Sequence, residues 1–305
     1  MRLLVLALFL VMSNVVVAKE TINVYSKWNL SDVGTRQITG IISYLNDNSE
    51  KYRFRLSPVP GAFGESSVRK AIADARVGYK SILFATVDTM TILKELETRD
   101  PKFVYNKQKD LILLQGISST SHGLVSSLKV KDFDELIQQL RSQKEFFYGH
   151  TSNSVVPKVS ADAIIKHYGL NNGKLILYNS QTDLQLAILN NEIAFAVGSI
   201  TETVGGDDIK LLLSTSKNRS RFFLDVPTGL EKGIVNFKYD AQIFVSVPKE
   251  FAELGEELIP LLRAACENDE YVKFLLTVRR NQNCLSKQQL QKFIDEEYKW
   301  YLDNK

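Results

Sequence analysis

Histidine and cysteine are scarce in this chain, three and two respectively among 305 residues. Neither Cys266 nor Cys284 has a second Cys or a His at zinc-ligand spacing, which excludes a metal centre built on them. His122, His150 and His167 belong to no His-Glu-x-x-His motif and to no Ser- or Cys-nucleophile arrangement. A P-loop is missing, and Gly205-Gly206 lacks the rest of a dinucleotide-binding pattern. Glu202, Asp207 and Asp208 read as a solvated turn, not as a carboxylate pair for hydrolysis. The chain therefore reads as a non-enzyme with no cofactor. An excess of one charge is also lacking: 38 Lys+Arg stand against 35 Asp+Glu, and the basic residues are scattered. That balance gives no footing for nucleic acid or an acidic membrane surface. No heptad, internal repeat or low-complexity tract occurs.

The apolar residues that do cluster sit at the start. Met1-Arg2 gives a positive beginning, residues 3–17 are apolar apart from Ser13 and Asn14, and Ala18 precedes Lys19-Glu20. This is the three-part layout of a secretory signal peptide cleaved after Ala18. The competing reading, a membrane anchor, needs about 20 apolar residues, more than this run holds. Removing residues 1–18 lowers Lys+Arg from 38 to 37 and leaves 287 residues, enough for two lobes. Export places the two cysteines in an oxidising compartment, where an isolated pair either bridges or stays as buried thiols; the compartment favours the bridge.

Short β-branched or aromatic runs then alternate with helical stretches. Strands are expected at 21–25, 52–56 and 81–85, with helices at 34–45, 66–75 and 90–96 between and after them. A second series follows. Strands are expected at 111–114, 123–126, 146–149, 175–178, 193–197, 211–213 and 242–247, with helices at 158–167 and 182–189. Asp132 opens a helix whose stripe is Phe133, Leu136, Ile137 and Leu140, and Asp132 with Glu135 resembles a capping box. The end is helical, at 251–266, 269–279 and 286–301. Strand–helix alternation predicts a parallel sheet flanked by helices. Two such lobes facing each other make a cleft at the carboxyl ends of the strands, where helix N-termini favour anions.

The junctions carry a resemblance. Pro60-Gly61-Ala62-Phe63-Gly64, followed by Gly78-Tyr79 and the strand 81–85, resembles the R-P-G-A-G-G … D-G-Y-T-L-L-L stretch of tripartite tricarboxylate transporter receptors, the Bug-type solute-binding proteins. Residues 128–140, 146–163, 177–180, 225–228 and 293–301 are similar to later family segments, in order and without large gaps. The resemblance implies an α/β, two-lobed periplasmic-binding-protein fold of type II-like character. Each lobe is a mostly parallel sheet flanked by helices, and two crossover strands join them. The expected division is 19–121 plus 243–305 for the first lobe with the C-terminal helices, and 122–242 for the second. The implied function is a monomeric, exported receptor that closes over an organic acid and delivers it to membrane permease subunits. The alternatives are a ligand-sensing partner of a membrane signalling receptor and a divergent member with a non-carboxylate ligand.

Carried over junction by junction, the family pattern nominates ligand contacts. In the first, Asp32 and Arg36 match, but Lys27, Trp28, Asn29 and Leu30 stand where the family has Pro and Gly. Lys27 offers charge, Trp28 an aromatic wall, and Asn29 and Ser31 side-chain donors. At the second, Thr86 is a small hydroxyl donor beside Val87, while Asp88 reads as a helix cap away from an anionic ligand. The third presents His150, Thr151, Ser152 and Asn153 at a helix start, and a protonated His150 would pair with a carboxylate. Val155-Val156-Pro157 replaces three hydroxyl-rich positions, which points away from citrate-like ligands. Ser180 belongs to the fourth junction and Ser199 to the fifth. Gly198 stands where amino-acid-binding relatives carry an Asp, which argues against an amino-acid ligand.

Overall fold

The computed structural model describes residues 18–30, 32–61, 64–91, 105–151, 155–178, 181–199, 208–235, 237 and 239–304. In chain order the first part runs β1 (Glu20–Ser26), α1 (Val33–Asn48), β2 (Tyr52–Pro58), α2 (Glu65–Arg76), β3 (Ser81–Thr86), α3 (Val87–Thr91), α4 (Lys107–Asp110) and β4 (Leu111–Ser126). The middle part runs α5 (Phe133–Ser142), β5 (Phe146–Thr151), α6 (Val155–Tyr168), β6 (Gly173–Tyr178), α7 (Gln181–Leu189), β7 (Phe195–Ser199) and β8 (Lys210–Ser214). The chain ends with β9 (Asp240–Pro248), α8 (Ala252–Glu267), α9 (Asp269–Thr277), β10 (Asn281–Gln282) and α10 (Lys287–Asn304). The expected helix at 90–96 lies partly outside the described residues.

The local sequence explains most of these elements. In α1 the residues at helical spacing, Ile38, Ile41, Ile42 and Leu45, are all buried, and in α5 so are Phe133, Leu136, Ile137 and Leu140. Asp132 caps α5 by accepting from the Glu135 N–H at 3.0 Å, while the Glu135 carboxylate reaches back to the Lys131 N–H at 2.6 Å. The capping partnership read from the sequence is therefore present, displaced by one residue on its return bond.

The strands run in the order β2-β1-β3-β9-β4-β7-β5-β6, with β8 and β10 also paired to β4. Each lobe contains a parallel trio, β2-β1-β3 in one and β7-β5-β6 in the other. Antiparallel pairings of β4 and β9 complete both, so the sheets are mixed. Two apolar clusters flank the first trio and two lie in the second lobe. Helices α8 and α9 pack on the first lobe through Leu258, Leu262, Tyr271 and Leu275, and α10 through Leu290 and Ile294.

Two details differ from expectation. The strands expected at 111–114 and 123–126 are one strand of 16 residues. The intervening Gln-Gly-Ile-Ser-Ser-Thr-Ser is mostly polar and lies outside the expected strands, but two of its side chains are taken up across the fold: Ser118 accepts from Gln37 at 3.1 Å and Ser121 donates to Asp240 at 3.1 Å. Gly116 permits the close approach of Leu285, whose carbonyl accepts from the Gly116 N–H at 2.7 Å. Thus β4 passes through both lobes, pairing with β9 over Leu111–Ser121 and with β7 over His122–Val125. The second crossing is not another such strand. Thr215 pairs back to His122, Tyr239 pairs to Thr215, and β9 starts at Asp240 wholly within the first lobe's ladder.

Candidate functional site

In a parallel sheet the carboxyl ends of the strands open toward the helix N-termini. Here β1 ends at Ser26 and β3 at Thr86, while β5 ends at Thr151 and β7 at Ser199. These four ends converge on one cavity of about 110 Å³ between the lobes. Its first-lobe wall includes Lys27, Trp28, Asn29, Asp32, Thr86 and Asp88; its second-lobe wall includes Thr151, Pro157, Gln181 and Ser199.

The β1–α1 junction is shaped by its backbone. Asn29 N–H donates to the Asp32 carboxylate at 2.8 Å, and Thr35 Oγ1 donates to the Asn29 carbonyl at 2.6 Å. The Trp28 indole lies flat over Gly34, where an added Cβ would stand 2.6 Å from the ring. Gly64, at φ +98°, starts α2 and leaves room for the Lys27 stem, 3.0 Å from where a Cβ would be. The Pro-Gly segment that carries the family resemblance thus makes space for the lysine.

Lys27 reaches across to Asp88, 3.2 Å away, and both side chains are nearly enclosed. Burial on its own would raise the Asp88 pKa, but the Lys27 charge and the bonds from Thr86 and Lys27 hold the carboxyl below its ordinary value. The Asp88 N–H donates to the Tyr239 hydroxyl at 3.3 Å. Asp88 lies inside α3, so the expected capping role is replaced by an ion pair at the cavity.

His122, from the middle of β4, meets Tyr239 edge to face at 5.6 Å. Its Nδ1 is enclosed and has no hydrogen-bond partner among the described residues. Burial pushes its pKa down to about 4; Asp88 opposes this, while Lys27 and Arg280 add to it. The imidazole is accordingly neutral near pH 7. Arg280 also lines the cavity and is 3% exposed. Its Nη1 donates to Gln37 Oε1 at 2.7 Å. The turn that positions it follows α9: Arg279 adopts φ +51°, and Arg280 N–H donates to the Leu275 carbonyl at 2.9 Å.

Of the residues nominated from the sequence, Lys27, Trp28, Asn29, Thr86, Thr151 and Ser199 line this cavity. Ser31, Ser152, Asn153 and Ser180 lie outside the described residues. Val87 does not line it; the side chain is buried in the first-lobe core. His150 does not line it either, because successive side chains on a strand face opposite ways and Thr151 takes the cavity side. Its Nδ1 lies 3.0 Å from the Thr151 carbonyl oxygen, and burial lowers its pKa, which disfavours the imidazolium expected there. His122, Tyr239, Arg280 and Gln181 escaped the sequence reading. The first two sit in or beside strands read as ordinary sheet, and Arg280 follows a helix with no local motif.

No curated protein matches the sequence. Solved structures match the fold closely. The Rhodopseudomonas palustris protein Rpa4515 with adipate has a TM-score of 0.77 at 17% identity, covering 93% of this chain and 95% of that one. MatC from the same organism, with bound malate, has a TM-score of 0.73 at 15% identity, covering 92% and 97%. A periplasmic transporter structure has a TM-score of 0.76 at 16% identity, covering 92% and 94%. The family described as tripartite tricarboxylate transporter family receptor matches residues 68–301. Two lobes, a strand shared between them and a cavity at the carboxyl ends of their strands agree with that match, and the chain belongs to the tripartite tricarboxylate transporter receptor family.

Proposed function

We propose that this chain is an exported, non-catalytic receptor that closes its lobes over a small organic acid and hands it to membrane permease subunits. The observation that carries the reading is the cavity between the lobes, lined by Lys27 and Arg280 and by hydroxyl and amide side chains from both sides. Malate and adipate, bound in the two R. palustris relatives, are both carboxylates. In this reading residues 1–18 are the removed signal peptide and the working compartment is the periplasm. No described helix is long and apolar enough to cross a membrane. The first lobe takes residues 19–121 and 243–305 and the second 122–242, and the change of partner along β4 between Ser121 and His122 supports the first of these divisions. The receptor works as a monomer.

A thermal-shift screen of mono- and dicarboxylates, amides and amines tests it. Carboxylates should raise the melting temperature. If only neutral or cationic solutes do so, the reading is wrong.

A further inference from the structure

His122 stands where β4 leaves its ladder with β9 and begins to pair with β7, at the meeting of the two cavity walls. Its backbone is fixed there: the N–H donates to Thr215 Oγ1 at 3.0 Å, and the carbonyl accepts from the Thr215 N–H at 2.9 Å. The ring rests edge to face against Tyr239, 5.6 Å between centroids. Backbone and ring contacts thus hold the side chain in place and leave its hydrogen-bonding groups unused. Nδ1 is enclosed without a partner, and no described residue bonds Nε2. A ring that is neutral near pH 7 carries one N–H and one bare nitrogen. On Nδ1 that proton would be an enclosed donor with nothing to bond, the costlier arrangement. On Nε2 it is a donor that a ligand can meet, since His122 lines the cavity.

The surroundings of the ring narrow what the donor can meet. Asp88 lies near enough to act on the ring electrostatically, and its carboxyl is ionised, with Lys27 3.2 Å away already answering its charge. A ligand carboxylate set against His122 would share that corner with a like charge in a poorly screened site. A hydroxyl carries no charge, accepts from an N–H and still donates to a neighbouring oxygen. A keto oxygen accepts but has no proton to turn toward Asp88. The cavity volume of about 110 Å³ corresponds to roughly four waters at a liquid share of about 30 Å³ each, which suits a short acid.

We propose that His122 is a specificity-determining contact whose ring N–H donates to a hydroxyl of the ligand, so that the site selects hydroxy acids over their deoxy and keto counterparts. The inference rests on the carboxylate reading above and names the ligand class of the same site. The discrimination comes from the protein side: a deoxy acid leaves the imidazole N–H enclosed and unpaired, and that loss is larger than the gain from a bond made in water.

Isothermal titration of the full chain, with residues 1–18 removed, against matched acids tests this. Lactate is compared with propionate and pyruvate, malate with succinate, and lactamide serves as the neutral control. In at least one of the two sets the hydroxy acid should bind at least about tenfold more tightly than its counterparts. His122→Phe keeps a flat ring but removes both nitrogens, and should bring the affinities of that set to within about threefold of one another. His122→Asn returns an N–H donor and should recover part of the preference. Deoxy or keto acids binding as tightly as the hydroxy acid in both sets overturn the proposal, as does a preference that persists in His122→Phe; the carboxylate reading survives both results. Binding of lactamide but of no acid overturns the carboxylate reading itself. Silence from all six solutes overturns the proposal, while the thermal-shift screen still tests the carboxylate reading. If a variant does not fold, the wild-type comparison within each set decides.

Discussion

His122 shows how a single side chain makes the molecule sensitive to acid. Burial lowers its pKa from 6.5 to about 4. Between those values the unfolded chain takes up a proton that the folded chain refuses, so stability is complete above pH 6.5 and declines as the pH falls toward 4. Each tenfold change in proton affinity corresponds to about 1.4 kcal/mol, so a loss of roughly 1–3 kcal/mol is expected across that window. Asp88 extends the loss on the acid side, because its carboxyl is held below 3.8 and its contribution disappears once it protonates. Denaturant titrations from about pH 7.5 to about pH 4.5, spanning that window, check this: His122→Gln should flatten the slope, and parallel curves for variant and wild type would contradict it. None of this was legible in the sequence, where His122 stands between a serine and a glycine with no motif around it. Its environment comes from Tyr239 and Asp88, residues distant in the chain. The reverse holds for Lys27, Trp28 and Thr86, which stand at or just after the ends of β1 and β3 and are placed by that order alone.

Between elements, the Cys266–Cys284 disulfide ties the last turn of α8 to the segment before α10, with Cα atoms 5.9 Å apart across a separation of 18 residues. The bridge that export favours is thus present. The loop it closes contains α9, β10 and the turn that carries Arg280. Closing a loop of about this length restricts the unfolded chain by an amount worth ~3 kcal/mol. Cys266→Ala/Cys284→Ala should therefore lose roughly 2–4 kcal/mol in urea unfolding. A loss below about 0.5 kcal/mol would mean that packing of α8 and α9 through Leu258, Leu262 and Leu275 already confines the segment. Element identity was largely readable here, since amphipathic stripes and capping residues are local. The length of β4 was not. Its polar middle has the composition of a turn, and only the partners Gln37 and Asp240 and the ladder with β9 make it a strand.

For the molecule as a whole, β4 and the pairing of Thr215 with Tyr239 join the two lobes, so a change in the angle between the lobes would turn on these two connections. A ligand that touches both walls binds the closed arrangement better than the open one and so shifts the population toward it. A carboxylate that raises the melting temperature in the screen should, at about 100 times its dissociation constant, add about 2.7 kcal/mol to unfolding and reduce the radius of gyration in small-angle scattering. Stabilisation without compaction would show that the cavity is already closed in the free protein.

The order of strands and helices, the compartment suggested by residues 1–18 and the positions of five junction loops are properties of the sequence alone, because they depend on periodicity, capping and short-range chemistry. The charge state of the cavity was decided by the tertiary structure. Asp88 neutralising Lys27, the burial of His122 and the arrival of Arg280 from the far end of the chain all depend on which residues β4, β9 and the α9 turn bring together. Electrostatics between distant residues has no period in a sequence, so the fold could be read from it while the arrangement of charges in the site could not.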